Sequence, residues 1–122
     1  MRNSDGRALL GREGESVAEK HLLDRGYVLI ERNFRTREGE IDRIFLERDT
    51  LVFVEVKTRR STLFGTPMES ITWKKQRKLR QAALAFLQSS AFPAASFRFD
   101  VISVFYGSEG GEPLVEHIHS AF

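Results

Sequence analysis

A chain of 122 residues, 41% hydrophobic and 30% charged with ten Phe, is expected to fold as one domain, 1–122, and is unlike a disordered or low-complexity polymer. It contains no Cys, which excludes a disulfide framework and thiolate metal sites, so any metal would be held by oxygen or imidazole ligands. The net charge of +2 is unevenly spread: Lys57 to Arg80 holds eight basic residues and one acid, Glu69, a local balance of +7 that leaves −5 elsewhere and predicts a polyanionic partner.

The opening MRNSDGRALLGREGE carries acids early, and no stretch is long enough to span a membrane. Neither a signal peptide nor a membrane anchor is expected, and a reducing cytoplasm suits the composition. Leu9 to Arg25 reads as a helix, because Leu10, Gly14, Val17, Ala18, His21 and Leu22 recur on one side and Gly26 supplies a stop. Tyr27 to Phe34 reads as a first strand. Glu40 to Glu47 and Leu51 to Thr58 read as a hairpin around Arg48-Asp49. The loop RRSTLFGTPMES follows, then a helix from Trp73 to Gln88 with Thr72 as N-cap and Leu79, Ala82, Ala83, Phe86 and Leu87 as its buried stripe. Phe97 to Tyr106 is a Phe- and Val-rich strand, and Leu114 to His119 adds an edge strand. The order αβββαβ, with that extra strand, predicts an α/β fold: a mixed central sheet flanked by helices.

The third strand, LVFVEVK, alternates so that Val52, Val54 and Val56 share one face while Leu51, Phe53, Glu55 and Lys57 share the other. A two-residue turn would set Ile44 against Phe53, Asp42 against Glu55 and Glu40 against Lys57. A turn moved by one residue at both ends would pair Asp42 with Lys57 instead, with the same parity. Two carboxylates facing each other repel and raise a pKa unless a cation lies between them. On the first helix Glu15 lies at the edge of the apolar stripe, whereas Glu19 points nearer the polar side. Such all-oxygen ligation suits Mg²⁺ or Mn²⁺.

The stretches GREGESVAEKHL, ERNFRTREGEID, LVFVEVKTRRSTLFGTP, KKQRKLRQAALAFL and FDVISV, spanning roughly residues 9 to 106, resemble the YraN family of small bacterial proteins. That family is similar in turn to Holliday junction resolvases of the PD-(D/E)XK nuclease superfamily. The resemblance implies a restriction-endonuclease-like core and assigns the helix carboxylate to Glu15, the strand acid to Asp42 and the E-x-K pair to Glu55 and Lys57. It also implies that the Val56 carbonyl ligates metal and that Lys57 contacts the attacked phosphate or its water. GEID stands where the superfamily has a literal P-D, with no proposed ligand lost. The implied activity is Mg²⁺-dependent hydrolysis of DNA phosphodiesters, with branched DNA and a symmetric homodimer suggested by the junction-cleaving relatives. The competing expectation is a catalytically silent nucleic-acid-binding or DNA-processing accessory protein on the same fold.

Taken singly, these residues have plainer explanations. An E-x-K triplet is often a solvated ion pair, and Lys74, Arg77, Lys78 and Gln81 suit any solvated helix face. Lys74 and Lys75, however, lie in a first turn, where the helix dipole disfavours cations; with Arg59, Arg60, Arg77 and Lys78 they are expected to contact phosphates. His117 and His119 share a strand face without an evident third ligand, His21 fits the apolar stripe, and Asp100, a carboxylate in an apolar strand, is expected to cap a loop, pair near Arg98 or lie close to the site, with a structural role favoured. Trp73 and Phe64 could stack on bases or anchor the helix and loop.

Overall fold

The computed structural model describes the backbone of residues 2–60, 66–90, 92, 94, 96–107 and 110–122, with side chains from residue 9 onward. Helix α1 (Arg2–Leu23) begins earlier than the apolar periodicity suggests. It closes through the Gly26 N–H on the Leu23 carbonyl, with Gly26 at φ +91°, a left-handed value that glycine adopts freely. Strands β1 (Val28–Arg35), β2 (Glu40–Glu47) and β3 (Thr50–Arg59) form a meander. A short 3-10 turn, Pro67–Ser70, was not evident in the sequence; Thr66 and Glu69 cap it reciprocally. Helix α2 (Trp73–Ser89) starts where predicted, with the Thr72 hydroxyl accepting from the Lys75 N–H at 3.1 Å. Strands β4 (Ser96–Phe105) and β5 (Leu114–Ile118) complete a sheet of order β1-β2-β3-β4-β5.

The sheet is mixed because β4 runs parallel to β3, and a parallel neighbour requires a crossover, which α2 provides. The other pairs are antiparallel. On one face Ala18 and Leu22 of α1 pack on Val52, Val54, Val56, Ile102 and Val104. On the other Leu79, Ala82, Ala83 and Phe86 of α2 cover Ile44, Leu51, Phe53 and Phe99. The alternation in LVFVEVK therefore sorts as read, with the valines toward α1 and Leu51 and Phe53 toward α2. This is an α/β fold with a restriction-endonuclease-like core. No helix among the described residues is long and apolar enough to cross a membrane.

Two glycines set the distance of the helices from the sheet. A Cβ on Gly14 of α1 would overlap the Thr58 hydroxyl and come within 2.9 Å of the Thr58 Cβ and Cγ2, so only glycine lets α1 approach the end of β3 this closely. A Cβ on Gly39, before β2, would lie 3.1 Å from the Lys78 carbonyl of α2. Both contacts fall at the end of β3 where Glu55 and Lys57 emerge.

Candidate active site

The β2–β3 ladder runs from Glu47↔Thr50 through Ile44↔Phe53 to Arg43↔Val54, the register of a two-residue turn with Arg48 at φ 57°. The alternative register that pairs Asp42 with Lys57 is not adopted. Beyond Arg43 the ladder stops, and Asp42 Oδ2 takes the Val56 N–H at 2.8 Å. The expected apposition of Glu40 and Lys57 does not form: Glu40 pairs with Arg35 of β1, at 3.5 Å, because the hairpin opens at this end.

Asp42 and Glu55 line one cleft of about 210 Å³ with Gly39, Glu40, Lys75, Lys78 and Leu79. Glu55 is 5% exposed, and its Oε2 lies 3.1 Å from the Lys75 ammonium and 3.5 Å from that of Lys57. Burial, followed by the charge of Glu55, pushes the Asp42 carboxyl from 3.8 up to about 7; the Val56 hydrogen bond opposes this, and Glu15 and Glu40 add to it. The buried Asp42 carboxyl therefore resists ionising chiefly because it is withdrawn from water, and secondarily because Glu55 is beside it.

Glu15 lies on the α1 side, in an adjoining hollow of about 330 Å³ shared with Gly11, Val56, Lys57 and Thr58. Its Oε1 receives Arg43 Nη1 at 3.3 Å and Asn33 Nδ2 at 3.4 Å, and Asn33 also donates to Glu40 at 3.2 Å. Asn33 manages this from φ 49°, a conformation asparagine tolerates better than most residues. The three carboxylates therefore flank the end of β3, with Asp42 and Glu55 in one cleft and Glu15 across from them.

The view of Glu19 as solvent-facing is corrected. Its side chain is 13% exposed against 23% for Glu15, and it takes Arg43 Nε at 2.8 Å and Arg32 at 2.8 and 2.9 Å. The Arg32 hydrogen bonds, outweighing burial and helped by Arg43, hold its carboxyl below the usual range. Helical periodicity placed Glu19 by angle alone; the buried Arg43 of β2, which draws it in, belongs to another element. Arg43 and Asn33 were likewise missed, and the one available signal was a lone Arg inside the apolar run of β2.

The basic residues separate into groups. Lys75 and Lys78 line the Asp42 cleft, Lys74 and Arg77 are exposed on α2, and Arg59 and Arg60 lie over the rings of Phe105 and Tyr106 at 5.9 and 5.8 Å. Trp73 is not a packing anchor, being 70% exposed, and Phe64 lies outside the described residues.

Away from this cleft, Asp100 supplies the third ligand that His117 and His119 lacked in the sequence; the three ligand atoms lie within 4.8 Å of one another and could hold a metal. Asp100 is fully buried and already satisfied: Arg98 Nε lies 3.0 and 3.2 Å from its oxygens, His117 Nε2 at 2.7 Å and the Ser120 N–H at 2.9 Å. Burial alone would raise this carboxyl, but the hydrogen bonds from His117, Arg98 and Ser120 outweigh it and hold it below the usual range. His117 and His119 stack at 3.7 Å, with ring planes 23° apart, and the Arg98 guanidinium takes the place a cation would have beside Asp100. Of the roles open to Asp100 in the sequence, pairing with Arg98 is the one adopted.

A restriction-endonuclease-like core with carboxylates at the end of a central β-hairpin defines the class of protein. Residues 14–104 match the profile described as "Uncharacterised protein family UPF0102", the YraN family, and the chain belongs to it. It is similar to the UPF0102 protein of Rhodococcus opacus (strain B4), 45% identical over 113 residues covering 93% of this chain and 95% of the relative. It is also similar to that of Syntrophomonas wolfei, 46% identical over 115 residues covering 93% and 96%.

Proposed function

We propose that the protein is a metal-dependent phosphodiesterase, an endonuclease acting on DNA, with Mg²⁺ or Mn²⁺ as its cofactor. The observation that carries this reading is the joint placement of Asp42 and Glu55 in one cleft, with the Lys57 and Lys75 ammonium groups within 3.5 Å of Glu55. The donors fit a hard divalent cation: they are carboxylate oxygens partly withdrawn from water, and Asp42 lies close enough to the charge of Glu55 for a cation between them to relieve the repulsion. When bound, such a cation supplies an acidified water and charge against the phosphate.

Asp42, fixed by the Val56 N–H, and Glu55, fixed by the strand register, would hold the ion with the Val56 carbonyl. Glu15, clamped by Arg43 and Asn33, would complete the set from α1. Lys57 orients the attacking water and offsets charge gathering on the phosphoryl oxygens. Lys75 and Lys78 draw the nucleic-acid backbone to the cleft, and Lys74, Arg77, Arg59 and Arg60 extend that basic track. Branched DNA cut by two copies of the chain is the form of substrate this reading favours.

The test is incubation of the purified protein with linear, single-stranded, flap and four-way-junction DNA in Mg²⁺ or Mn²⁺, beside Asp42→Ala and Lys57→Ala. Cleavage by the wild type alone is expected. Cleavage retained in both variants, or cleavage of no substrate by the wild type, would sink the enzymatic reading; DNA binding without cleavage would instead indicate a silent accessory protein.

A further inference from the structure

Trp73, the one tryptophan in the sequence, opens α2 and is turned away from the core. At 70% exposure, and with no ring partner among the described residues, the indole forgoes the burial that makes tryptophan favourable inside proteins. At about 100° per residue, Trp73, Arg77, Arg80 and Leu84 form one stripe opposite the buried Leu79, Ala82, Ala83 and Phe86. Leu79 and Ala83 lock the other side of the helix to the sheet, so Trp73 cannot turn inward without unseating α2.

The surroundings of Trp73 select its ligand. Helix α2 carries Lys74, Lys75, Arg77, Lys78 and Arg80 and no acid. Arg80 is engaged with Phe99 and Phe122, at 5.2 and 5.4 Å, and Lys75 with Glu55, leaving Lys74, Arg77 and Lys78 exposed on the helix that Trp73 opens. A second copy docked face to face here would set cation against cation, which disfavours a two-fold contact through this surface. A polyanion that also offers flat faces satisfies both the charges and the ring. Nucleic acid does so, but a duplex hides its base faces inside the stack, so the indole can take only an unpaired base.

We infer that Trp73 is a stacking platform for an unpaired nucleobase, with Lys74, Arg77 and Lys78 receiving the flanking phosphates, so that the preferred nucleic acid is single-stranded or carries an unpaired segment. This rests on the phosphodiester reading above only in taking nucleic acid as the ligand, and it requires no turnover.

The lone tryptophan makes the contact directly visible. In chelator, so that no cleavage occurs, its emission is followed while oligothymidylate of about 20 nucleotides, or a blunt duplex of similar length, is added. Labelled-oligonucleotide anisotropy runs in parallel on Trp73→Ala, Trp73→Phe and Arg77→Gln. Strong quenching by oligothymidylate and little by duplex is expected. Trp73→Ala should weaken single-strand binding by at least about five-fold, with Trp73→Phe recovering most of it. Arg77→Gln should weaken both forms alike and flatten the salt dependence. Equal quenching by both forms, an unchanged Trp73→Ala, or a blue shift that depends only on protein concentration would overturn the inference, the last assigning this face to self-association. Cleavage in Mn²⁺ with an unresponsive tryptophan rejects the stacking role alone; quenching without cleavage rejects the nuclease reading alone.

Discussion

Replacing Asp42 by Asn should stabilise the metal-free protein at neutral and alkaline pH. The carboxyl titrates at about 7 in the fold against 3.8 in the unfolded chain, roughly three units at about 1.36 kcal/mol each, or about 4 kcal/mol. Because the folded value is the higher one, the native state holds a proton that the unfolded chain has released. Stability from this group is full below pH 3.8 and is lost as the pH rises through about 7. Asn has no charge to set against Glu55, and its amide oxygen can still accept from the Val56 N–H. At pH 8 in chelator the variant should melt on the order of 10 °C above wild type, taking about 3 °C per kcal/mol for a chain of this length. Near pH 4 the two should coincide. Thermal unfolding followed by circular dichroism at both pH values, with and without Mg²⁺ or Mn²⁺, measures this. The added ion should raise the midpoint of wild type and leave the variant unmoved, since a ligand stabilises only the form that binds it. A variant no more stable than wild type at pH 8, or a gap of equal size at both pH values, would refute the electrostatic account of the cleft.

Gly14→Ala gains up to about 1 kcal/mol in helix propensity yet should lower stability by about 1–2 kcal/mol, because the new methyl overlaps Thr58. Urea unfolding should show a lower midpoint, partly restored by Thr58→Ala; a rise in the midpoint of the single variant would contradict the close approach of α1 and β3. Asp100→Asn removes the charge facing Arg98 and His117 in a buried site and should cost about 3–5 kcal/mol at pH 7. Because the Asp100 carboxyl is held low, that difference should be present above its unfolded value and shrink as the pH falls through its folded one. A loss under about 1 kcal/mol at pH 7 would mean the network does not stabilise the fold.

Most of the elements and the parity of the site were legible in the sequence, the 3-10 turn Pro67–Ser70 and the early start of α1 excepted. Alternation in β3, the Thr72 cap and the polar turn near Arg48-Asp49 are local, and local patterns carry across to the fold. They were enough to place Asp42 and Glu55 on the face that α2 covers, while the choice between Glu55 and Lys57 as the neighbour of Asp42 waited for the register of the folded hairpin. What they could not supply is anything set by contact between distant elements. Glu19 was misplaced because helical angle says nothing of the Arg43 on β2 that draws it inward. Lys75, read as a first-turn cation for phosphate, turns into the cleft and sits 3.1 Å from Glu55, a contact set by how α2 packs on the sheet. Asp100 joined His117 only through the β4–β5 pairing. Trp73 was open to base stacking or to anchoring the helix; the burial of Leu79, Ala82, Ala83 and Phe86 on the opposite side of α2 left it facing outward.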